Sequence, residues 1–264
     1  MPMNGGLGKE EEREALREEL NKEPIISDDF ESGVLKGIND GNGGTVQLKN
    51  TENVIQGSQC CEILSDATND QKVEFAIENG WMHFDSLLYH TAWFALPVNS
   101  VLTFSCLLLG FELHNRELGY KDLYLLEWFP DTEVLYCWTS DNTGVKSRYS
   151  PAEATLYLRQ LGTYRLANFR PVAGGPAPAT ARIWHRLSLL VDQPNRKYKF
   201  AEIDGYRFSS IADTTPFQFG VPPFGSFLKT LCAMRNLSAG AVATSILYDD
   251  YKYYIPNGIK AIWK

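Results

Sequence analysis

The chain has 264 residues, 44% of them hydrophobic and 22% charged, with a formal net charge of −7. That is an ordinary globular composition; it excludes disordered and collagen-like classes, and the acidic balance argues against a nucleic-acid partner, since phosphate binding needs a cationic face. No apolar run reaches the ~18 residues of a membrane helix, so no membrane partner is expected; the longest run, 101–110, contains Thr103 and Ser105.

Residues 1–24 read as a charged N-terminal extension. Leu16 and Leu20 stand four apart, and Glu10, Glu14, Arg13 and Arg17 can pair along a short helix over 9–20. Pro24 ends the pattern. One short charged helix is marginal alone, and serves as a solvated extension or as a docking arm.

From residue 25 the pattern is strand after strand, divided by turn residues. Strands are predicted over 45–49, 59–64 and 73–77, the first after the Gly-rich turn 40–44. Residues 81–94 carry Trp81, Phe84, Trp93 and Phe94 and are expected to pack on the body of the protein. Residues 101–113 read as a central strand covered on both faces. Strands 123–129 and 134–139 flank the turn Pro130-Asp131. Strands 155–161 and 164–169 bracket Gly162, and 183–191 follows. Strands 197–203 and 206–209 bracket Asp204-Gly205, the strongest hairpin signal in the chain. Strands 229–236 and 245–253 close the series. Residues 171–179 and 216–225 are Pro- and Gly-rich and read as loops. Without crossover helices the sheets must be antiparallel. The predicted fold is all-β, an antiparallel jelly-roll β-sandwich of about a dozen strands over 25–264, with the short helical extension before it.

The five cysteines are an odd number, and no C-x-x-C pair occurs. They read as reduced thiols used as small hydrophobes, with no disulfide framework and no thiolate zinc site. The start has no apolar h-region of a secretory signal, so a cytoplasmic location is expected.

Three segments together resemble the concanavalin A-like lectin/glucanase superfamily. The first is Ser27-Asp28-Asp29-Phe30-Glu31-Ser32-Gly33, similar to the opening strand of many carbohydrate-binding modules. The second runs from Trp184-His185-Arg186-Leu187 through Val191-Asp192 to Ile203-Asp204-Gly205. The third is Ile246-Leu247-Tyr248-Asp249-Asp250-Tyr251, similar to the closing strand. The resemblance covers about residues 25–255. It implies a jelly roll whose first and last strands are neighbours, and a structural calcium near them. Asp28, Asp29, Glu31, Asp249 and Asp250 would supply its oxygen ligands, which calcium takes in sets of six to eight. Alternatively, some of these acids face solvent or pair with Lys252, because alternation sends Asp249 and Asp250 to opposite faces.

Aromatic strands supply the candidate ligand surface. Tyr124 and Trp128 share one strand face, and Tyr136 and Trp138 share another. Trp184 and Arg186 share a third, where a guanidinium beside an indole suits a sugar contact. Such rings either stack on sugars or fill the core between two sheets. Glycoside hydrolysis needs two carboxyls ~5–5.5 Å or ~6.5–9.5 Å apart. Glu112 and Glu127 lie in the most apolar strands, where burial is expected to raise their pKa as a general acid requires. His114 shares a face with Glu112, and Arg116 follows. This stripe would bind an acidic sugar or abstract a proton in a lyase, or it is a strand end reaching solvent. The superfamily's E-x-D-x-x-E run is absent, as is the Q-[IV]-H strand of alginate lyases. The expected function is therefore a lectin-like, carbohydrate-binding β-sandwich without catalysis, its partner an oligosaccharide or polysaccharide. A glycoside hydrolase or polysaccharide lyase using Glu112, Glu127 and His114 is the alternative, and a structural or assembly scaffold a further one.

Overall fold

Strand alternation resolves into two antiparallel sheets in the computed structural model. It describes residues 24, 26–39, 44–50, 54–55, 57–65, 71–80, 87–96, 106–115, 119–129, 132–141, 145–146, 156–164, 184–220, 227–236 and 244–254. The predicted helix at 9–20 and the loop 171–179 lie outside these residues.

The strands number seventeen among the described residues. The back sheet has the order Tyr206–Phe208 (β14), Lys197–Ile203 (β13), Trp184–Asp192 (β12), Leu87–Ala95 (β6), Thr244–Tyr254 (β17), Gln59–Ser65 (β4) and Thr45–Asn50 (β3). Ile26–Asp28 (β1) also pairs with β17, so first and last strands are neighbours as expected. The front sheet has the order Val145–Lys146 (β10), Tyr157–Thr163 (β11), Val134–Thr139 (β9), Tyr120–Phe129 (β8), Cys106–Asn115 (β7), Phe227–Asn236 (β16), Gln71–Gly80 (β5) and Ile38–Asn39 (β2). Phe217–Phe219 (β15) adds a short strand beside β8. The last two long strands each insert between two early ones, β16 between β5 and β7, β17 between β4 and β6. No helix among the described residues is long and apolar enough to cross a membrane.

Three local readings are corrected. Residues 87–95 form a central back-sheet strand and do not lie across the body; their nearly continuous burial hides the period-2 signal. Gly162 is no turn. It is a bulge inside β11, where the register with β9 shifts. Residues 217–219, read as loop, are paired strand.

The core lies between the sheets. Leu109, Phe111 and Leu126 from the front pack on Ala92, Leu189 and Ile246 from the back. All five cysteines are free and buried. Two bulges in the back sheet decide which rings enter this core. In β17 the register shifts between Asp249 and Lys252, and Asp250 takes a φ of 47°. Tyr251 and Tyr253 thereby face the core, and Lys252 pairs outside with Asp250. In β13 the register shifts opposite Leu190 and Val191. Phe200 packs on the outer surface, whereas Tyr198, two residues earlier, points into the core.

The Tyr198 phenol crosses to the front sheet. Its hydroxyl accepts the Leu125 N–H (3.0 Å) and donates to the Trp138 carbonyl (2.9 Å). The β8–β9 ladder stops one pair earlier, at Leu126 and Cys137. Beyond it β15 becomes the partner of β8, at Leu123, Asp122 and Lys121. Tyr198 thus stands in for the missing rung at a fork in the front sheet.

Tyr198→Phe leaves a buried N–H and a buried C=O without this partner, a loss of about 1–3 kcal/mol. A thermal midpoint several degrees lower is expected. Gly110 of β7 lies so close to β8 that a Cβ there would stand 2.0 Å from the Tyr124 carbonyl oxygen. Gly110→Ala should lower stability by about 1–3 kcal/mol. Gly220→Ala should change little, because a Cβ there meets nothing within 4 Å. Urea unfolding of both variants checks the contrast.

Candidate functional site

The fork opens a groove of about 300 Å³ on the outer face of the front sheet. Its volume is at the lower end for small-ligand sites. Register builds it row by row. Leu231 on β16 stands opposite Ala76 and Gly110, and Gly110 stands opposite Leu125. Two small residues in this row keep the floor low, and Leu108, Leu123 and Leu125 complete it. Trp138 and Phe219, one from each arm of the fork, make an aromatic wall.

A chain of alternating charges runs along the rim. The Glu74 carboxylate lies between the ammonium groups of Lys72, at 2.5 Å, and of Lys229. Lys229 reaches Glu112 at 4.0 Å. Glu112 is also 3.2 Å from His114 and 3.8 Å from Lys121. Lys121 lies over the Phe219 ring, and Phe227 stacks on His114. Glu74, Glu112 and Lys229 are buried, so each depends on its opposite partner.

This corrects the expectation for Glu112. Burial would raise its carboxyl. The His114 contact and the ammonium groups of Lys229, Lys121 and Lys72 outweigh burial and hold the pKa down at about 2. Glu112 is ionised at neutral pH and cannot act as a general acid. Glu127 does different work. It accepts bonds from the Cys106 thiol (2.8 Å) and the Trp138 indole N–H (3.1 Å), and so fixes the groove's aromatic wall. Register puts Glu127 opposite Leu108, four residues from Glu112 along β7. That is about 13 Å of strand, beyond the spacing of a hydrolase carboxyl pair.

The other sequence candidates separate. Tyr136 and Trp138 share the outer face of the front sheet, as alternation requires. Tyr124 and Trp128 sit on the opposite face of β8, fully buried between the sheets, where they are core and reach no ligand surface. Trp184 and Arg186 belong to the back sheet. Trp184 packs on Cys60, Ala95 and Leu247, and Arg186 pairs with Glu202 while lying over Trp93. Arg116 lies outside the described residues.

The five acids expected to hold calcium are near one another in topology but do not form a ligand set. Asp28 accepts the N–H groups of Phe30 and Lys36, and burial still raises its carboxyl. Asp29 accepts the Glu31 N–H. Glu31 accepts the N–H groups of Gln59 and Ser58, which lower its pKa. Asp249 accepts the N–H groups of Ile55 and Asp250, and Asp250 pairs with Lys252. Among the described residues no three His, Cys, Asp or Glu side chains converge as metal ligands.

Sequence reasoning missed Lys72, Glu74, Lys121, Lys229, Arg235 and Phe219 as site residues. The available signal was charge inside apolar strands, Lys229 and Arg235 around Leu231 above all.

No protein-family model and no curated protein matches the sequence. Solved structures with similarity to this chain do exist. The PL-14 alginate lyase from Aplysia kurodai is similar over 89% of this chain and 100% of its own, at 12% identity and a TM-score of 0.50. The carbohydrate esterase vb_24B_21 from the Shiga toxin-encoding bacteriophage phi24B covers 88% and 98%, at 15% identity and a TM-score of 0.46. The binding domain of botulinum neurotoxin DC covers 88% of this chain, at 10% identity and a TM-score of 0.43; this chain spans about half, 48%, of that one. What fold and site define together is an antiparallel β-sandwich with a charged, aromatic-walled groove on one sheet.

The low Glu112 pKa has a direct consequence for stability. A depressed carboxyl stabilises fully above its ordinary value of 4.5, and the contribution fades as pH falls from there through about 2. Linkage puts it at roughly 3 kcal/mol. Glu112→Gln should be less stable at pH 7, and its unfolding free energy should fall less between pH 5 and 2 than the parent's. Urea denaturation across that range measures both; parallel curves would contradict the pairing.

Proposed function

We propose that the outer groove of the front sheet binds a carbohydrate chain, and that the protein is a binding module of the concanavalin A-like kind. One observation carries the reading. A single groove combines an apolar floor, an aromatic wall whose indole is fixed by Glu127, and a rim of directed charged groups. Sugar recognition needs both parts, apolar surface against ring faces and polar groups for the hydroxyls. The sandwich shared with an alginate lyase gives the reading a fold context and no more. Hydrolysis is disfavoured, because Glu112 is ionised and Glu127 is bonded to the wall.

Isothermal titration with a panel of neutral and acidic oligosaccharides tests this. Binding is expected, and Trp138→Ala should weaken it at least tenfold. Phe219→Ala, at a more accessible position, should weaken it too and keeps the test valid if the first variant unfolds. No binding across the panel would overturn the reading. Cleavage of a bound sugar would move it to the enzyme class, with the His114–Glu112 pair the first to substitute.

A further inference from the structure

A second, smaller cavity lies at one open end of the sandwich, between the two sheets. Strand alternation separates it from the groove. On β8, Lys121 and Leu123 line the groove, whereas Tyr120 and Asp122 face the other way, into the mouth between the sheets. Their register partners on β7, Asn115 and Leu113, follow them. The back sheet closes the cavity with the turn between β12 and β13, through Gln193, Pro194 and Arg196. Among the described residues none lines both cavities.

Arg196 spans the opening. Its Nε and Nη2 groups donate to the two oxygens of Asp122, at 2.9 and 2.6 Å. The guanidinium also lies 4.8 Å from the centre of the Tyr120 ring. The pair does not fill the mouth, which keeps a volume of about 160 Å³. Asp122 is buried, and burial raises its pKa although Arg196 bonds to both of its oxygens. Each oxygen keeps a further lone pair, and the guanidinium has five N–H donors, more than Asp122 takes. Gln193 is only 8% exposed, yet its side-chain amide makes no hydrogen bond with a described residue. A polar side chain withdrawn this far from water is normally paired. A structural salt bridge accounts for Arg196 and Asp122. It does not account for the Gln193 amide or for the space beside it.

We propose that this mouth cavity is a separate site for a single neutral sugar ring, whose adjacent hydroxyls donate to Asp122 and accept from Arg196 and Gln193. The inference goes beyond the groove and needs neither the groove nor its occupant. The charges of the Asp122–Arg196 pair balance, so a neutral ligand fits. Each sugar hydroxyl both donates and accepts, and two neighbouring ones match a carboxylate set beside a guanidinium. The volume is about that of five waters at ~30 Å³ each, on the scale of one ring and too small for a chain. Tyr120, Pro194 and Leu113 give apolar surface for the C–H face of the ring.

The experiment follows the full chain by NMR during titration with the methyl glycosides of glucose, galactose and mannose. Glycerol and methyl glucuronide serve as comparison probes. At least one methyl hexoside is expected to bind with a Kd on the order of 1 mM. It should shift the Gln193 side-chain amide and the backbone signals of Asn115, Tyr120 and Arg196, and leave the Trp138 indole unmoved. Gln193→Leu removes the amide at nearly constant volume. It should weaken binding about fivefold, the worth of one hydrogen bond, without lowering the thermal midpoint. Arg196→Lys keeps the charge, loses the fork and should weaken binding as well. Absence of shifts at the mouth with every methyl hexoside at about 50 mM, well above the expected Kd, would overturn the site. Unchanged affinity in Gln193→Leu would do the same. An equal response to glycerol would overturn the assignment to a ring, and tighter binding of the glucuronide the assignment to a neutral one. Chain binding read at Trp138 is independent of all these outcomes, so the two sites fail separately.

Discussion

One phenol holds the two sheets in the relation that makes a groove. Tyr198 leaves the back sheet, crosses the core and takes the backbone groups that β8 and β9 leave unpaired where they part. Buried backbone groups must be paired, so a sheet can fork only where something else completes its hydrogen bonds. Here that is a side chain of the opposite sheet. The fork admits β15, and with it Phe219, to the outer surface. Tyr198 itself points inward only because the β13 bulge between Tyr198 and Phe200 shifts the alternation. One inserted residue in one sheet thus determines the shape of a surface on the other.

The groove is electrostatically demanding for the protein. Glu74 and Lys229 are withdrawn from water, and a buried ion pair seldom gains more than its desolvation takes away. Apolar residues would serve the same sheet face at least as well for stability alone. On the proposed reading, a chain of opposite charges across an otherwise apolar floor is a surface that meets polar groups of a ligand. The outer face of the back sheet also carries charge, but there Arg186 pairs with Glu202 and Lys49 with Glu62. There the pairs stand apart, whereas on the front sheet Lys72, Glu74, Lys229, Glu112 and Lys121 form one connected chain.

Much of the architecture was readable from the sequence because strands with one polar face announce themselves by alternation. The Asp204-Gly205 hairpin, with φ of 50° and 84°, and the adjacency of first and last strands follow the sequence signals closely. The central strand 87–95 did not, because burial on both faces erases the period. The site was half readable. Alternation put Glu112 with His114 and Tyr136 with Trp138, and the structure keeps both pairs. It could not say which face of β8 is outermost, so Tyr124 and Trp128 looked as available as Trp138. Nor could it bring Lys229 to Glu74 and Glu112, since that meeting depends on β16 inserting between two strands more than a hundred residues earlier. For the acids of the first and last strands, adjacency was legible, but the backbone N–H groups that Asp28, Glu31 and Asp249 accept were not, since they depend on how the intervening turns close.

The central claim is that binding of a carbohydrate chain belongs to the outer face of the front sheet. The most direct test is NMR mapping of backbone and indole resonances as an oligosaccharide that binds in the titration panel is added. The account predicts shifts concentrated on Lys121, Lys229, Leu231, Arg235 and the Trp138 indole, with the Trp184 and Arg186 region of the back sheet unmoved. Shifts centred on Trp184 and Arg186, or none at saturating ligand, would contradict it.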